Sequence, residues 1–344
     1  MVTKEDLKIV FMGTPNFAVA SLQALVEGGY KVAGVVTAPD KPVGRHAHLL
    51  QSSAVKQYAV AQGLPVLQPE KLKEERFIAD LRALQADLQI VVAFRMLPEI
   101  VWNMPRFGAF NLHASILPQY RGAAPINWAI INGDTETGVT TFFLTDEIDT
   151  GQIILQKRWP VSMTDDAGVI HDALMLLGAK AVLETVDRLI EKGGRIETVP
   201  QESLIRPKDD LHTDIKLEHH KNILRPAPKI FTETCRIDWR QPADHVYNLI
   251  RGLSPVPSAW TELINPSGDH AMLKIFSTER LLEKQEMPPG SIRTDGKNHI
   301  EVAVADGFIR LLTLQLAGKK RMSVKDFLNG IKIDAQWKMN VPSS

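Results

Sequence analysis

The sequence predicts an α/β protein in two parts, a parallel-sheet domain first and a smaller β-barrel second. Three observations carry that reading. The chain has 344 residues, too many for one ordinary core. Its first half alternates short apolar runs with amphipathic stretches, the signature of βαβ units around a parallel sheet. Beyond residue 229 the pattern changes to short alternating stretches separated by Gly and Pro turns, which suits a small barrel or sandwich.

Taken in order, Leu7–Met12 is an apolar run ending at Gly13-Thr14-Pro15, and Phe17–Leu25 follows with helical spacing. Lys31–Thr37, Leu88–Phe94, Ala109–Leu112 and Gly138–Leu144 read as further strands, the near-continuous apolar ones covered on both faces. Ala54–Gln62 and Phe77–Leu84 read as helices, and Asp166–Lys192 as a long one stopped by Gly193-Gly194. Periodicity fades between Arg195 and Lys229, where prolines stand at 200, 207, 226 and 228. The expected division is therefore 1–194 as one domain, 195–229 as a linker and 230–344 as the second domain. In that last part Ala243–Arg251 reads as a helix, and Ala259–Ile264, Met272–Ser277, His299–Val304 and Phe308–Leu314 as strands.

Composition narrows the function classes. No apolar run reaches the ~20 residues that span a bilayer, and polar Met1–Leu7 is not a secretory signal. A single cysteine, Cys235, rules out an internal disulfide and fits a reducing compartment, so a cytoplasmic location is expected. Basic and acidic side chains balance at 40 each over the chain, yet residues 206–344 carry 21 basic against 17 acidic. That local excess is compatible with an anionic partner and equally with ordinary solvated faces.

Gly13-Thr14-Pro15-Asn16-Phe17 sits where open parallel sheets bind ligands, but it lacks the three glycines of a dinucleotide fingerprint. No phosphate-binding Gly-rich loop, zinc-protease motif or nucleophile elbow occurs. His212, His219 and His220 lie in a polar stretch without metal-ligand spacing, so no metal is expected. Asn111-Leu112-His113 says more. It ends a predicted strand, and alternation puts Asn111 and His113 on one face. An amide beside an imidazole can polarise a carbonyl and stabilise the oxyanion formed on attack. Asp149 follows the next strand and could orient His113 or accept a proton through water. Spacing alone leaves these three level with a hydrogen-bonded strand end.

The run Asn111–Ile126, Asn-Leu-His-Ala-Ser-Ile-Leu-Pro-Gln-Tyr-Arg-Gly-Ala-Ala-Pro-Ile, closely resembles the signature of the formyltetrahydrofolate-dependent formyltransferases, with Asp149 in their Asp-Thr-Gly. Within that superfamily the methionyl-tRNA formyltransferase family resembles nearly the whole chain. Pro39–Arg45 is similar to its tRNA-contacting loop, as are Ile237–Trp239, Ile250–Pro255 and Met322–Gly330 to stretches of its second domain. The chain departs from the family at Phe94-Arg95-Met96-Leu97-Pro98, one residue short, and at His46-Ala47-His48, where lysines or arginines are usual.

The resemblance implies a Rossmann-like first domain and an OB-like barrel second. It implies formyl transfer from 10-formyltetrahydrofolate to the α-amine of initiator methionyl-tRNA, by a monomer. Asn111, His113 and Asp149 would be catalytic. Ser115, Ile116, Leu117 and Pro118, with Phe94, Arg95, Met96 and Leu97, would meet the folate, and Lys41 and Arg45 the tRNA. An amino-sugar nucleotide formyltransferase of the same superfamily is the alternative, since Asn127-Trp128 and Asn132-Gly133 resemble stretches of those enzymes too. A folate- or RNA-binding protein without catalysis is a third reading, disfavoured by the intact Asn111, His113 and Asp149.

Overall fold

The computed structural model describes residues 3–43, 49–205 and 224–342. The first half runs β1 (Ile9–Gly13), α1 (Asn16–Glu27), β2 (Val32–Val36), a hairpin of β3 (Lys41–Val43) and β4 (Leu49–Gln51), α2 (Ala54–Ala61) and β5 (Val66–Leu67). It continues through α3 (Glu75–Ala83), β6 (Leu88–Val92), α4 (Glu99–Trp102), β7 (Ala109–His113), α5 (Pro125–Ile131), β8 (Glu136–Phe143), β9 (Ile153–Pro160) and α6 (Ala167–Glu191). Seven of these strands form one sheet in the order β5-β2-β1-β6-β7-β8-β9.

Pairing from β5 through β7 is parallel, and β8 then runs antiparallel to β7. The strand expected at Gly138–Leu144 is thus present but reversed. β1 and β6 are buried at every position, which is why their sequences read as continuous apolar runs rather than alternating ones. One side of the sheet packs Val10, Met12, Val36 and Val91 against Phe77, Ile78 and Leu81 of α3. The chain leaves β1 toward β2 on one side and returns to β6 on the other. The carboxyl ends of β1 and β6 therefore flank the place where strand order reverses, the usual crevice of an open α/β sheet.

The described residues divide into two compact units. The first comprises Met1–Pro125, Thr137–Trp159 and His171–Ala227; the second takes Ile126–Glu136, Pro160–Ile170 and Pro228–Ser344. Two excursions from the first half thus belong with the second unit. Asn127 Nδ2 donates to Gly252 O at 2.7 Å, and the Arg251 guanidinium donates to Asp165 O at 2.9 Å. Burial pushes the Arg251 pKa below its ordinary value.

The rest of the second unit holds α7 (Ala243–Leu253), β10 (Ala259–Ile264), β11 (His270–Leu281), β12 (Ile292–Thr294), β13 (Ile300–Val304) and β14 (Gly307–Leu316). It ends with β15 (Met322–Ser323), α8 (Val324–Gly330) and β16 (Lys338–Met339). The strands run in the order β12-β13-β14-β11-β10-β16, with β15 added on β14. An antiparallel bridge between Ser291 and Lys338, with Met339 N–H donating to Gly290 O at 2.8 Å, links the two ends of that order. The result is a nearly closed antiparallel barrel, as expected from the sequence, and closure removes the open edges that invite aggregation. Its core includes Trp239, Ile250, Leu273, Ile275, Val302 and Ile309, all fully buried. Each such side chain contributes about 1.5–3 kcal/mol by burial. Among the described residues no helix is long and apolar enough to cross a membrane.

Candidate active site

The parallel register sets Asn111 beside Val91 of β6, and the antiparallel one sets His113 beside Thr140 of β8. Strand alternation turns Leu112 the other way, into contact range of Gly178 on α6, so Asn111 and His113 share the opposite face. The two side chains differ in exposure. His113 is buried, whereas Asn111 is half-buried and its carboxamide makes no hydrogen bond among the described residues.

His113 is held by a loop that folds back over its own strand. Its Nε2 lies 2.8 Å from the carbonyl oxygen of Tyr120. A carbonyl can only accept, so Nε2 carries the hydrogen. Nδ1 is then left facing the Asp149 carboxylate, with Oδ2 at 3.7 Å. That separation is too long for a direct hydrogen bond, and it leaves the carboxylate within ion-pair range of the ring when the ring is protonated. Asp149 Oδ2 is itself fixed by the Gly122 backbone N–H, which donates at 2.9 Å.

Three residues around this point adopt left-handed backbone angles without being glycine: Ala93 (φ 48°), Tyr120 (φ 62°) and Asp149 (φ 55°). Each such angle costs an L-residue about 1–2 kcal/mol, and non-glycine outliers concentrate at working sites. Packing compels two neighbouring glycines. At Gly122, with φ 127°, an added Cβ would lie 2.4 Å from Ala227 O; at Gly151 it would lie 1.7 Å from Phe143 O.

The segment Ser115–Pro118 follows β7 and contains a cis Leu117–Pro118 bond. Ser115 and Leu117 are buried, and the Ser115 hydroxyl is spent on Gln119 O at 2.7 Å. Thr140 and Gln156 clamp the backbone here: Thr140 Oγ1 donates to Ser115 O at 2.7 Å, and Gln156 Nε2 to Leu117 O at 2.8 Å. Ile116 and Pro118 keep part of their surface exposed. On β6 the expected pterin loop begins at the strained Ala93. Phe94 and Leu97 pack on the core of the sheet, Met96 is exposed, and Arg95 Nη1 donates to Glu70 O at 2.7 Å.

Lys41 is exposed on the β3–β4 hairpin, while Arg45 lies outside the described residues, as do His212, His219 and His220. The hairpin's root is tied down at Asp40. Hydrogen bonds from Lys56 at 2.5 Å and Gln68 at 2.9 Å hold the Asp40 carboxyl below the usual carboxylate range. Among the described residues no group of three or more His, Cys, Asp or Glu is placed to hold a metal ion.

Sequence reasoning missed the supports. Tyr120 acts through a carbonyl, Gly122 through an N–H, and Thr140 and Gln156 point at backbone. Gln201, beyond the long helix, reaches Asp149 O and Gly151 O, and residues 225–227 pair with residues 120–124.

Comparison with known proteins identifies the family. The family model described as formyl transferase matches residues 7–186, and its C-terminal domain model matches residues 229–332. The chain belongs to the formyl transferase family. A methionyl-tRNA formyltransferase from Parabacteroides distasonis is 63% identical over 334 residues, covering 97% of this chain and 98% of that protein. One from Bacteroides fragilis is 59% identical over 336 residues, covering 98% of each. Among solved structures, an N-formyltransferase from Helicobacter canadensis, in complex with folinic acid and dTDP-3-aminofucose, covers 92% of this formyl transferase and all of its own chain. It superposes with a TM-score of 0.56 at 18% identity, a likeness of fold.

Proposed function

We propose that this formyl transferase moves the formyl group of 10-formyltetrahydrofolate onto the α-amine of methionine on initiator tRNA, and that Asn111, His113 and Asp149 carry the chemistry. The observation that carries the reading is the approach of His113 to Asp149 beside an Asn111 carboxamide that makes no hydrogen bond among the described residues, at the carboxyl end of β7. The identity of the acceptor is supported by relatives of the same length at about three-fifths identity, whose names specify methionyl-tRNA.

In this reading the neutral amine attacks the formyl carbon, forming one C–N bond while the bond from carbon to the donor nitrogen breaks. The carbonyl oxygen gathers negative charge on the way. Asn111 donates to that oxygen through its amide, a stabilisation that grows as the charge develops. His113, with Nε2 committed to Tyr120 O, presents Nδ1: a donor when the ring is protonated, an acceptor when it is not. Asp149 holds that ring electrostatically and assists removal of the proton that the amine must lose, which the departing donor nitrogen takes up.

The half-exposed Ile116 and Pro118, the backbone of Ser115 and Leu117, and the Phe94–Leu97 loop with its exposed Met96 would cradle the folate. Folinic acid in the Helicobacter canadensis neighbour supports a folate-derived donor. Lys41 and Arg45 would meet the acceptor end of the tRNA. Residues 1–194 would carry the chemistry, 195–229 connect, and 230–344 hold more distant phosphates, in a monomer working in the cytoplasm.

Acceptor choice tests the proposal. Offered methionyl-tRNA and a dTDP-linked amino sugar with the same donor, the protein should formylate the tRNA and leave the sugar untouched. Formylation of the sugar with none on the tRNA would move the assignment to the sugar enzymes. Raising salt should weaken use of the tRNA steeply, because each neutralised phosphate releases counterions; a salt-independent KM for tRNA would remove the phosphate contacts.

A further inference from the structure

We infer that Gln201 is a positioning residue for the Asp149 carboxylate, an inference that rests on reading Asp149 as catalytic. Gln201 opens the 3-10 turn Gln201–Leu204, beyond the last strand of the sheet, and is fully buried. Its amide uses every atom. Nε2 donates to Asp149 O at 2.9 Å and to Gly151 O at 2.8 Å, the two carbonyls that frame the turn. Oε1 accepts from Arg121 Nε at 3.0 Å and from Arg121 Nη2 at 2.7 Å.

These bonds close a ring. Gly122, next in the chain to Arg121, donates its N–H to Asp149 Oδ2 at 2.9 Å. Asp149 is therefore gripped twice, by its backbone carbonyl through Gln201 and by its carboxylate through Gly122, and the Arg121–Gly122 peptide joins the two grips. The hold offsets the strain of its φ of 55°, which lies in the left-handed region. Released, the backbone would relax toward an ordinary angle and swing the carboxylate away from His113 Nδ1.

The chemistry selects glutamine. The opposite orientation of the amide would set its oxygen against two carbonyl oxygens and its NH2 against a guanidinium that can only donate. Glutamate has the same length and would satisfy Arg121, but its second oxygen would repel Asp149 O and Gly151 O. A hydrophobe of equal size fills the space and makes none of the bonds. Gln201 touches no reacting atom and acts through Asp149.

Gln201→Met and Gln201→Glu separate this role from general support. Formylation of methionyl-tRNA would be measured for both, in the wild-type chain and in Asp149→Asn, with thermal unfolding alongside. In the wild-type background kcat should fall on the order of 10–100-fold, the scale of a displaced catalytic group, while KM for the folate donor stays within about twofold. In the Asp149→Asn background the same changes should cost nothing further, because the group they position is already gone. Should Gln201→Met prove too unstable to assay, Gln201→Glu, which keeps size and the Arg121 contact, carries the test. Wild-type kcat in the Gln201 variants while Asp149→Asn is slow would overturn the positioning role alone. So would losses that multiply in the double variant. Wild-type turnover by Asp149→Asn would instead remove the catalytic reading and the inference with it.

Discussion

Ala93, Tyr120 and Asp149 stand in loops after β6, β7 and β8, and make up three of the five non-glycine residues with left-handed φ angles among those described. The strands of the barrel contain none. The barrel is held by the ordinary means of a β-protein: alternating side chains meet in an apolar core, and its ladder is linked end to end through Ser291 and Lys338. The site is held by hydrogen bonds between side chain and backbone, with Tyr120 O on the His113 ring, Gly122 N–H on the Asp149 carboxylate and the Gln201 amide on the Asp149 turn. One region is stable because of its shape; the other keeps its shape through specific bonds that offset backbone strain. Substitutions should therefore separate them, with losses of rate in one region and losses of stability in the other.

The largest effect belongs to the site. His113→Ala and Asp149→Asn should each slow formyl transfer by roughly 10²–10³, the scale of a lost transition-state donor, with unfolding midpoints close to wild type. A rate near wild type for His113→Ala at saturating substrates would place the chemistry elsewhere.

The barrel should answer in the opposite currency. Trp239 is fully buried and donates from Nε1 to Thr261 Oγ1 at 3.1 Å, so Trp239→Ala should destabilise the second unit by about 3–5 kcal/mol. Urea unfolding would report it, and folate binding well below the new midpoint should persist. A midpoint shifted by less than the error of the fit would show that closure, not core volume, holds the barrel.

Acid sharpens the contrast further. Glu301 on β13 is buried; desolvation works to raise its pKa, but hydrogen bonds from Arg310 and Arg293 outweigh it and hold the carboxyl below its ordinary value of 4.5. A depressed carboxylate contributes stability that is present above its ordinary value and lost as pH falls through its folded one. Glu301→Gln should thus cost roughly 1–3 kcal/mol near neutrality, the worth of charge-assisted hydrogen bonds. The cost should vanish at a pH low enough to protonate the native carboxyl. An equal cost at both pH values would mean that shape rather than charge is at stake.

The smallest effect should come from a helix cap beside the hairpin. The Ser53 hydroxyl accepts from Lys56 N–H at 3.0 Å and pairs with Thr37 Oγ1 at 2.7 Å. Ser53→Ala should cost about 1 kcal/mol and leave the intrinsic transfer rate alone, as thermal melting and a single-turnover assay would show.

How much was legible in the sequence follows the same division. β1, β2, β6 and β7 announce themselves because strands covered on both faces read as apolar runs, and α6 because its period runs on until Gly193-Gly194. Asn111 and His113 were legible because a period of two places them on one face. β9 was not: after Ile153 and Ile154 it turns polar through Gln156, Lys157 and Arg158. β15 and β16, two residues each, are too short to show any period. The supports of the site were illegible for another reason. A carbonyl such as that of Tyr120 has no residue signature, and Gln201 meets Asp149 from 52 positions away, a pairing that only the folded chain supplies.

The free carboxamide of Asn111 offers the most direct test that the Asn111, His113 and Asp149 set performs the transfer. Unlike His113 and Asp149 it makes no hydrogen bond among the described residues, so Asn111→Ala removes a donor without unpinning a neighbour. Rapid-quench formylation of methionyl-tRNA in a single turnover, with donor binding measured in parallel, should show transfer slowed by about 10²–10³ and donor affinity within a few-fold of wild type. Transfer at the wild-type rate, or a slow rate explained entirely by lost donor binding, would contradict the account.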